Sequence, residues 1–267
     1  MKSTKLAIPY LIWMLIFTVV PLLLLVHYSF TDSDYNFTLD NFVRFFNPLY
    51  LGILRQSFVM ALQATAICFI IAYPVAYILS TKEFKDRNIL VFLFIVPMWM
   101  NFLVRTYAWF FILGNNGFLN NVLRALGLPT LHILFTDAAV LLGLVYTFLP
   151  FMIFPIYTSL QKIDPKVIEA ARDLGANNLE VMRRVIFPLS LAGIASGLTM
   201  VFMPAVATFL ISNILGGGQY MLIGNLIEQQ FLVVGNRHFG SVVSLILLAM
   251  VLVCNIILSS PNKEENE

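Results

Sequence analysis

The chain has 267 residues, of which 60% are apolar and 11% are charged, and its mean hydropathy is +0.87. Because soluble domains carry about 25% charged residues, this composition excludes an ordinary soluble protein and predicts an all-α polytopic membrane protein. The net charge is only +2 and the basic residues are spread over the loops, so the charge pattern does not favour nucleic-acid binding.

Six apolar segments are long enough to cross the hydrocarbon core, which needs about 20 residues. If the N-terminus lies inside, 11 of the 16 Lys and Arg residues fall on the cytoplasmic side and four outside, which predicts that both termini are cytoplasmic. The first segment has no small-x-small cleavage site, so we expect a retained anchor. In a single domain, the segments cover about 6–28, 57–80, 89–113, 138–160, 189–212 and 239–258.

No residue pattern in the chain is suited to catalysis. Cys68 and Cys254 fall inside predicted spans and are expected to be buried free thiols. His27, His132 and His238 are far apart and lack the spacing of a metal site. A phosphate-binding Gly-Lys-Ser/Thr loop is also missing. We therefore expect a non-catalytic chain without a metal or cofactor of its own.

Two regions outside the spans are predicted to have short structure. Thr38 could cap a short helix that ends near Asn47-Pro48. The region 213–238 begins with three glycines and continues as an apolar stretch that is too short to span. We expect this second region to be re-entrant or interfacial.

Prolines and glycines inside the predicted spans indicate kinks and close packing. Each proline removes a backbone hydrogen bond, which gives either a functional hinge or only a packing feature. Gly193 and Gly197 have the small-xxx-small spacing that predicts close contact with another helix. The prolines are Pro74, Pro97, Pro150, Pro155 and Pro204.

The most informative part of the chain is the polar loop 161–188 between the fourth and fifth spans. Asp164 is placed to cap a helix that starts at Pro165, runs to Leu174 and ends at Gly175. A second helix that runs to Pro188 is predicted to start with a cap formed by Asn177 and Glu180. In the first helix one face carries Val167, Ala170, Ala171 and Leu174, and Glu169, Arg172 and Asp173 flank it.

The spacing Glu-Ala-Ala-x3-Gly-x9-Val-x-Phe-Pro, from Glu169 to Pro188, resembles the loop of permease subunits of ATP-binding-cassette importers. Val185 and Phe187 replace the usual Ile and Leu. The resemblance implies the six-helix fold of type I importers and a coupling helix that docks on an ATPase subunit. An ordinary amphipathic cytoplasmic helix is the alternative. The residues to which the resemblance assigns ATPase coupling are Glu169, Ala170, Ala171, Asp173, Gly175 and Pro188.

Four further stretches are similar to the first permease subunits of bacterial spermidine/putrescine importers. They are 95–101, 105–107, 149–152 and 222–225. This resemblance implies an importer in the bacterial cytoplasmic membrane, with an ATPase dimer, a second homologous permease and an extracytoplasmic polyamine-binding protein. ATP and magnesium would be bound by the ATPase subunits, and membrane lipid would surround the spans.

A polyamine pathway needs aromatic faces, hydrogen-bond acceptors and few unpaired cations. Trp99 lies near the middle of its span and could hold an ammonium group, or it could only pack against a helix. Asn101 is about 200° around an ideal helix from Trp99, so both face one pathway only if Pro97 distorts the helix. We also place Tyr107 and Phe209 on the pathway.

Charged residues near the pathway are few. Arg105 would repel a cationic cargo, so we expect it to reach outward or to pair with an acid such as Asp137. Carboxylates for the cargo would come from the second permease or from Asp32, Asp34 and Glu228.

Two other functions remain open on the sequence. One is a permease for another small solute, such as sulfate, molybdate or iron. The other is a six-span channel or receptor without an ATPase, and the motif from Glu169 to Pro188 argues against it.

Overall fold

The apolar segments fold as long helices in the computed structural model, which describes residues 4–80 and 96–259. Three π-helical turns, Leu15–Val19, Met182–Ile186 and Gln229–Val234, extend neighbouring helices. The helices are α1 (Thr4–Met14), α2 (Val20–Ser29), α3 (Asp40–Phe45), α4 (Pro48–Ser80), α5 (Phe102–Leu113), α6 (Phe118–Ala125), α7 (Asp137–Gln161), α8 (Pro165–Asp173), α9 (Asn178–Val181), α10 (Phe187–Leu189), α11 (Leu191–Ala207), α12 (Leu210–Leu215), α13 (Ile223–Glu228) and α14 (Arg237–Ser259).

Four helices in the described part are long and apolar enough to cross a membrane. A fifth span results if Asn178–Leu189 and Leu191–Ala207, which are bent by 63°, count as one. The predicted segments 6–28, 57–80, 138–160 and 239–258 coincide with the four helices. The predicted segment 89–113 begins among residues 81–95, which lie outside the described residues. The four are Ile8–Ser29, Pro48–Ser80, Asp137–Gln161 and Arg237–Ile257.

The second span and the short helix before it differ from the sequence prediction. Helix α4 begins at Pro48 rather than at residue 57, because Pro48 fits a helical first turn. The short helix α3 is present, but it ends at Phe45 and its N-cap residue is Leu39. The hydroxyl of Thr38 accepts a hydrogen bond from the backbone N–H of Asp40, at 3.1 Å.

Helix α7 is the centre of the bundle and packs against α4 and α11. In its most apolar window 56% of the residues are buried, whereas none are buried in the corresponding window of the first span. Small residues on α4 let its backbone approach α7, and the Cys68 thiol donates to the Val145 carbonyl at 3.7 Å. Cys68 is a buried free thiol, as predicted, and Cys254 is a half-buried one. The fully buried small residues of α4 are Ala61, Ala64, Cys68, Ala72 and Ala76.

The close helix contact predicted from Gly193 and Gly197 is confirmed, and its partner is α7. A Cβ atom at Gly193 would clash with the Cβ of Ser159 and the carbonyl oxygen of Pro155. At Gly197 a Cβ atom would lie 2.8 Å from the sulfur of Met152. These two glycines therefore set the distance between α11 and α7.

Replacing Gly193 with alanine is expected to destabilise the bundle by about 1 to 3 kcal/mol, because the backbone of α7 must shift to admit the methyl group. The thermal midpoint of the purified protein in detergent measures this change. Gly52→Ala is the matched control, since Gly52 lies in α4 and has no atom within 4 Å of an added Cβ. A Gly193→Ala protein as stable as Gly52→Ala would contradict the close packing.

Candidate coupling segment and helix breaks

The residues 161–188, here called the coupling segment, fold as the sequence predicts at their helix starts. The Asp164 carboxylate accepts a hydrogen bond from the Lys166 N–H at 3.0 Å, and Pro165 occupies the first turn of α8. Asn177 and Glu180 form a complete capping box at α9, with two hydrogen bonds of 3.0 Å. Side chains close to each helix therefore satisfy its first N–H groups.

Helix α8 stops because Gly175 adopts a left-handed conformation, with φ of +84°. The Gly175 N–H donates to the Arg172 carbonyl at 2.9 Å, and the Ala176 N–H donates to the Ala171 carbonyl at 3.1 Å. This pair of bonds is a Schellman motif, in which glycine is favoured because it has no Cβ. The helix ends at Asp173, one residue before the predicted end.

The face of α8 that the sequence predicts for docking is open in this chain. Ala170 is exposed, Ala171 is half-buried, and Glu169, Arg172 and Asp173 are exposed around them. Apolar side chains at the surface beside charges mark a site for a protein partner. This open surface, here called the apolar strip, carries three large apolar side chains. They are Val167, Leu174 and Leu179, which are 45%, 90% and 76% exposed.

Tyr73 of α4 anchors the far end of the coupling segment. Its hydroxyl lies 3.2 Å from the Ser190 hydroxyl, and its ring centroid lies 5.6 Å from that of Phe187. The 63° bend falls at Ser190, and Pro188 lies two residues before it in α10. The segment is therefore attached to the core at the point where α11 begins.

The third predicted span is broken at Met100 and Asn101. Residues 96–99 are helical, and α5 starts afresh at Phe102. Asn101 is non-helical, with φ of −56° and ψ of 130°, and its side chain accepts from the Leu103 N–H at 2.9 Å. Trp99 and Asn101 therefore do not lie on one ideal helix, and both are exposed. The distortion that a shared pathway requires is present, close after Pro97.

The fifth predicted span is wrong as a continuous helix over 189–212. It bends at Ser190 and breaks again at Thr208 and Phe209, where α11 ends and α12 begins. Gly224 makes the break at Thr208 and Phe209 possible, because its Cα lies against the carbonyls at this break. An added Cβ would clash with the Ala207 oxygen. A contact with so distant a residue gives no local sequence signal.

The helices that follow the two breaks are neighbours. Helices α5 and α12 pack together, and both follow a break. The Phe110 ring centroid lies 6.0 Å from that of Phe135, whose N–H donates to the Leu215 carbonyl at 2.9 Å. Phe135 therefore links the two helices near their far ends.

Three of the four predicted pathway residues lie at these two breaks. Trp99 and Asn101 lie at the first break, and Phe209 is half-buried at the second. Tyr107 is 48% exposed, more than one turn along α5, and its ring contacts Phe110 at 6.5 Å.

Neither expectation for Arg105 is met. The residue is only 8% exposed, so it does not reach into water, and its Nε and Nη1 atoms have no hydrogen-bond partner among the described residues. Asp137 is exposed at the start of α7, and no ion pair joins it to Arg105 among the described residues. The guanidinium carbon lies 5.9 Å from the ring centroid of Phe102.

Asn225 is the residue that sequence reasoning missed. Its amide donates to the Phe209 carbonyl at 3.1 Å and to Asn213 Oδ1 at 2.6 Å. Its Oδ1 accepts from the Ser212 hydroxyl at 2.6 Å and from the Leu222 N–H at 3.0 Å. All four hydrogen-bonding positions of a buried amide are thus used. The resemblance of 222–225 was the only sequence signal.

A bundle of long apolar helices with an exposed, capped helix between two of them is the architecture of a multi-pass membrane protein that offers a polar loop to a partner. Residues 71–260 match the family described as the binding-protein-dependent transport system inner membrane component, and the chain belongs to this family. It is accordingly a non-catalytic permease subunit of an ATP-binding-cassette importer in the inner membrane.

Named relatives are similar over almost the whole chain. The spermidine/putrescine transport system permease protein PotB of Escherichia coli is 42% identical over 243 residues, covering 88% of each chain. The protein of the same name from Haemophilus influenzae is 39% identical over 259 residues, covering 94% of this chain and 91% of that one.

A solved structure shares the fold at low sequence identity. It is a bacterial alginate ABC transporter in complex with an alginate pentasaccharide-bound periplasmic protein. One chain matches with a TM-score of 0.84 and 16% identity, covering 99% of this chain and 95% of that chain.

Replacing Asp164 with alanine is expected to cost α8 about 1 kcal/mol, because the Lys166 N–H loses its partner. Backbone amides of α8 should then exchange with deuterium roughly fivefold faster, as measured by mass spectrometry on the purified protein. Asp173→Asn is the control, since Asp173 is exposed and caps no N–H group. Equal exchange in the two variants would show that Asp164 does not hold the helix start.

Proposed function

We propose that this chain is the first permease subunit of a type I importer that moves spermidine and putrescine across the bacterial cytoplasmic membrane by alternating access. The observation that carries the proposal is its 42% identity, over 88% of the chain, with a spermidine/putrescine permease protein. The two helix breaks support the proposal, because non-helical backbone at membrane depth is tolerated where that backbone lines a pathway.

The proposed topology has six spans in one domain, with both termini in the cytoplasm. Four or five spans, including the bent one, are accounted for by the described helices, and the span that ends with α5 would be the sixth. The excess of Lys and Arg on one side supports the orientation. The coupling segment would then lie in the cytoplasm.

The proposed partners are an ATPase dimer, which binds ATP and magnesium, a second homologous permease and an extracytoplasmic polyamine-binding protein. The exposed apolar strip of α8 would sit on the ATPase, with the small side chains of Ala170 and Ala171 allowing close approach and Glu169 and Asp173 at its edge. Gly175 and Pro188 would fix the shape of the segment on either side. Membrane lipid would cover the remaining apolar surface.

The pathway would use aromatic faces and backbone carbonyls in place of bulk water. An ammonium group over the indole of Trp99 gains roughly 0.5 to 2 kcal/mol, which is enough to guide passage and little enough to release the cargo. Asn101, Tyr107 and Phe209 would line the same route. The buried Arg105 would lie behind this lining rather than in it, because the residue is only 8% exposed.

Gly175→Val is expected to lower ATP-driven uptake severely, because a β-branched residue disfavours the φ of +84° that ends α8. Gly175→Asn should keep most of the activity, since asparagine tolerates this conformation. Glu169→Lys should also uncouple uptake by reversing a charge at the docking face. The measurement is labelled spermidine uptake into proteoliposomes that contain the complete complex.

Membrane insertion and complex assembly are the controls, and both should be unchanged in these variants. Uptake at the wild-type rate in Glu169→Lys and Gly175→Val would refute the coupling role of α8.

Trp99→Ala is expected to slow spermidine uptake roughly fivefold, because it removes a cation–π contact worth about 1 kcal/mol. Trp99→Phe should keep part of the rate, since an aromatic face remains. Uptake is normalised to the amount of intact complex, which separates a pathway role from a packing role.

Unchanged normalised uptake in Trp99→Ala would remove Trp99 from the pathway. If the wild-type complex carried another solute and no polyamine, the proposed substrate would be wrong.

A further inference from the structure

Glu228 lies at the end of α13, directly before the π-helical turn Gln229–Val234. Its side chain is half-buried, and its Oε2 accepts a hydrogen bond from the Asn213 amide at 2.7 Å. No basic side chain pairs with it among the described residues. Single π-helical turns are frequent at functional sites. Glu228 is thus an oriented carboxylate on an irregular helix.

The carboxylate is positioned by a chain of hydrogen bonds that starts at the break in the fifth span. Asn225 bonds the Phe209 carbonyl and Asn213 Oδ1, and Asn213 in turn donates to Glu228. The close approach of Gly224 brings α13 against Ala207 and Thr208. Any displacement of the break is therefore transmitted to the position of the Glu228 carboxylate.

The residues that position this carboxylate lie next to the end of a helix, since Asn225 bonds the Phe209 carbonyl and Gly224 lies against the Ala207 carbonyl. Helix α11 ends at Ala207, and the last carbonyls of a helix carry the negative end of its dipole. Asn213 is exposed beside them, so a ligand can reach the group. Half-helix ends of this kind coordinate cations in transporters.

We propose that Glu228 is the carboxylate with which this permease recognises a primary ammonium group of its cargo at the break in the fifth span. Asn213 and Asn225 are its positioning residues. This inference rests on the proposed polyamine function and names the residue that supplies the negative charge for it.

The other two acidic candidates are placed differently. Asp32 Oδ1 accepts from the N–H groups of Asp34 and Asn36, at 2.9 and 2.8 Å, so its role is to close the turn between α2 and α3. Asp34 is exposed in that same turn. Neither is bonded to the residues of the two breaks in the described chain.

The test is spermidine uptake by the reconstituted complex at a saturating concentration of loaded binding protein. Glu228→Gln keeps the shape of the side chain and removes its charge. We expect it to lower the uptake rate about tenfold, because a hydrogen bond to a charged partner binds roughly tenfold more tightly than one to a neutral partner. Glu228→Asp should recover part of the rate because it keeps the charge. Asp34→Asn removes the same charge from the exposed turn and should transport like the wild type.

A second variant, Asn213→Ala, frees the carboxylate without neutralising it and should give an intermediate rate. Assembly of the complex is measured in parallel and should stay at the wild-type level in Glu228→Gln, Glu228→Asp and Asp34→Asn. A purely structural role for Glu228 would instead reduce assembly in Glu228→Gln and Glu228→Asp alike.

The outcomes separate this inference from the proposed function. Wild-type uptake of spermidine with an equal rate in Glu228→Gln would overturn the role of Glu228 and leave the polyamine function standing. A wild-type complex that assembles, hydrolyses ATP and carries no polyamine would overturn both. A tenfold loss in Glu228→Gln, with partial recovery in Glu228→Asp, would support both.

Discussion

The irregular backbone at Phe209 depends on one buried amide. Within a membrane every unpaired backbone group costs several kcal/mol, so a helix can break there only if other groups take over its hydrogen bonds. Asn225 does so by bonding the Phe209 carbonyl, and it also holds Ser212, Asn213 and Leu222. The break, helix α13 and the start of α12 therefore form one unit.

The rest of the bundle supplies a rigid frame for that unit. Helix α7 is buried between α4 and α11, and small residues on both neighbours let the backbones come close. Ser57 of α4 accepts a hydrogen bond from the Ile223 N–H at 2.7 Å, which joins the frame to the start of α13. A rigid core with irregular segments on one side suits a protein that must change shape around a fixed site.

Local chemistry explains which features the sequence could predict. Asp164, Pro165, Asn177 and Glu180 act on N–H groups within a few residues of themselves, so the starts of α8 and α9 were predicted correctly. Gly175 likewise ends α8 through bonds to its own last turn. Four of the six predicted spans coincide with long helices, because length and hydropathy determine which segments can cross a membrane.

Features that depend on distant contacts were not predictable from the same sequence. The break at Phe209 needs Gly224 and Asn225, which follow it by more than a dozen residues in the chain. The burial of Arg105 depends on how its helix packs, and both expectations drawn for it from the sequence were wrong. Pro97 did indicate the first break, although the break falls at Met100 and Asn101 rather than at the proline.

The bend at Ser190 determines how a movement of the coupling segment would reach the break in the fifth span. Tyr73 holds this point on α4, so a tilt of α11 would pivot about Ser190. With 17 residues α11 is about 25 Å long at 1.5 Å per residue. A tilt of only about 5° about Ser190 would displace Ala207, at the break in the fifth span, by about 2 Å.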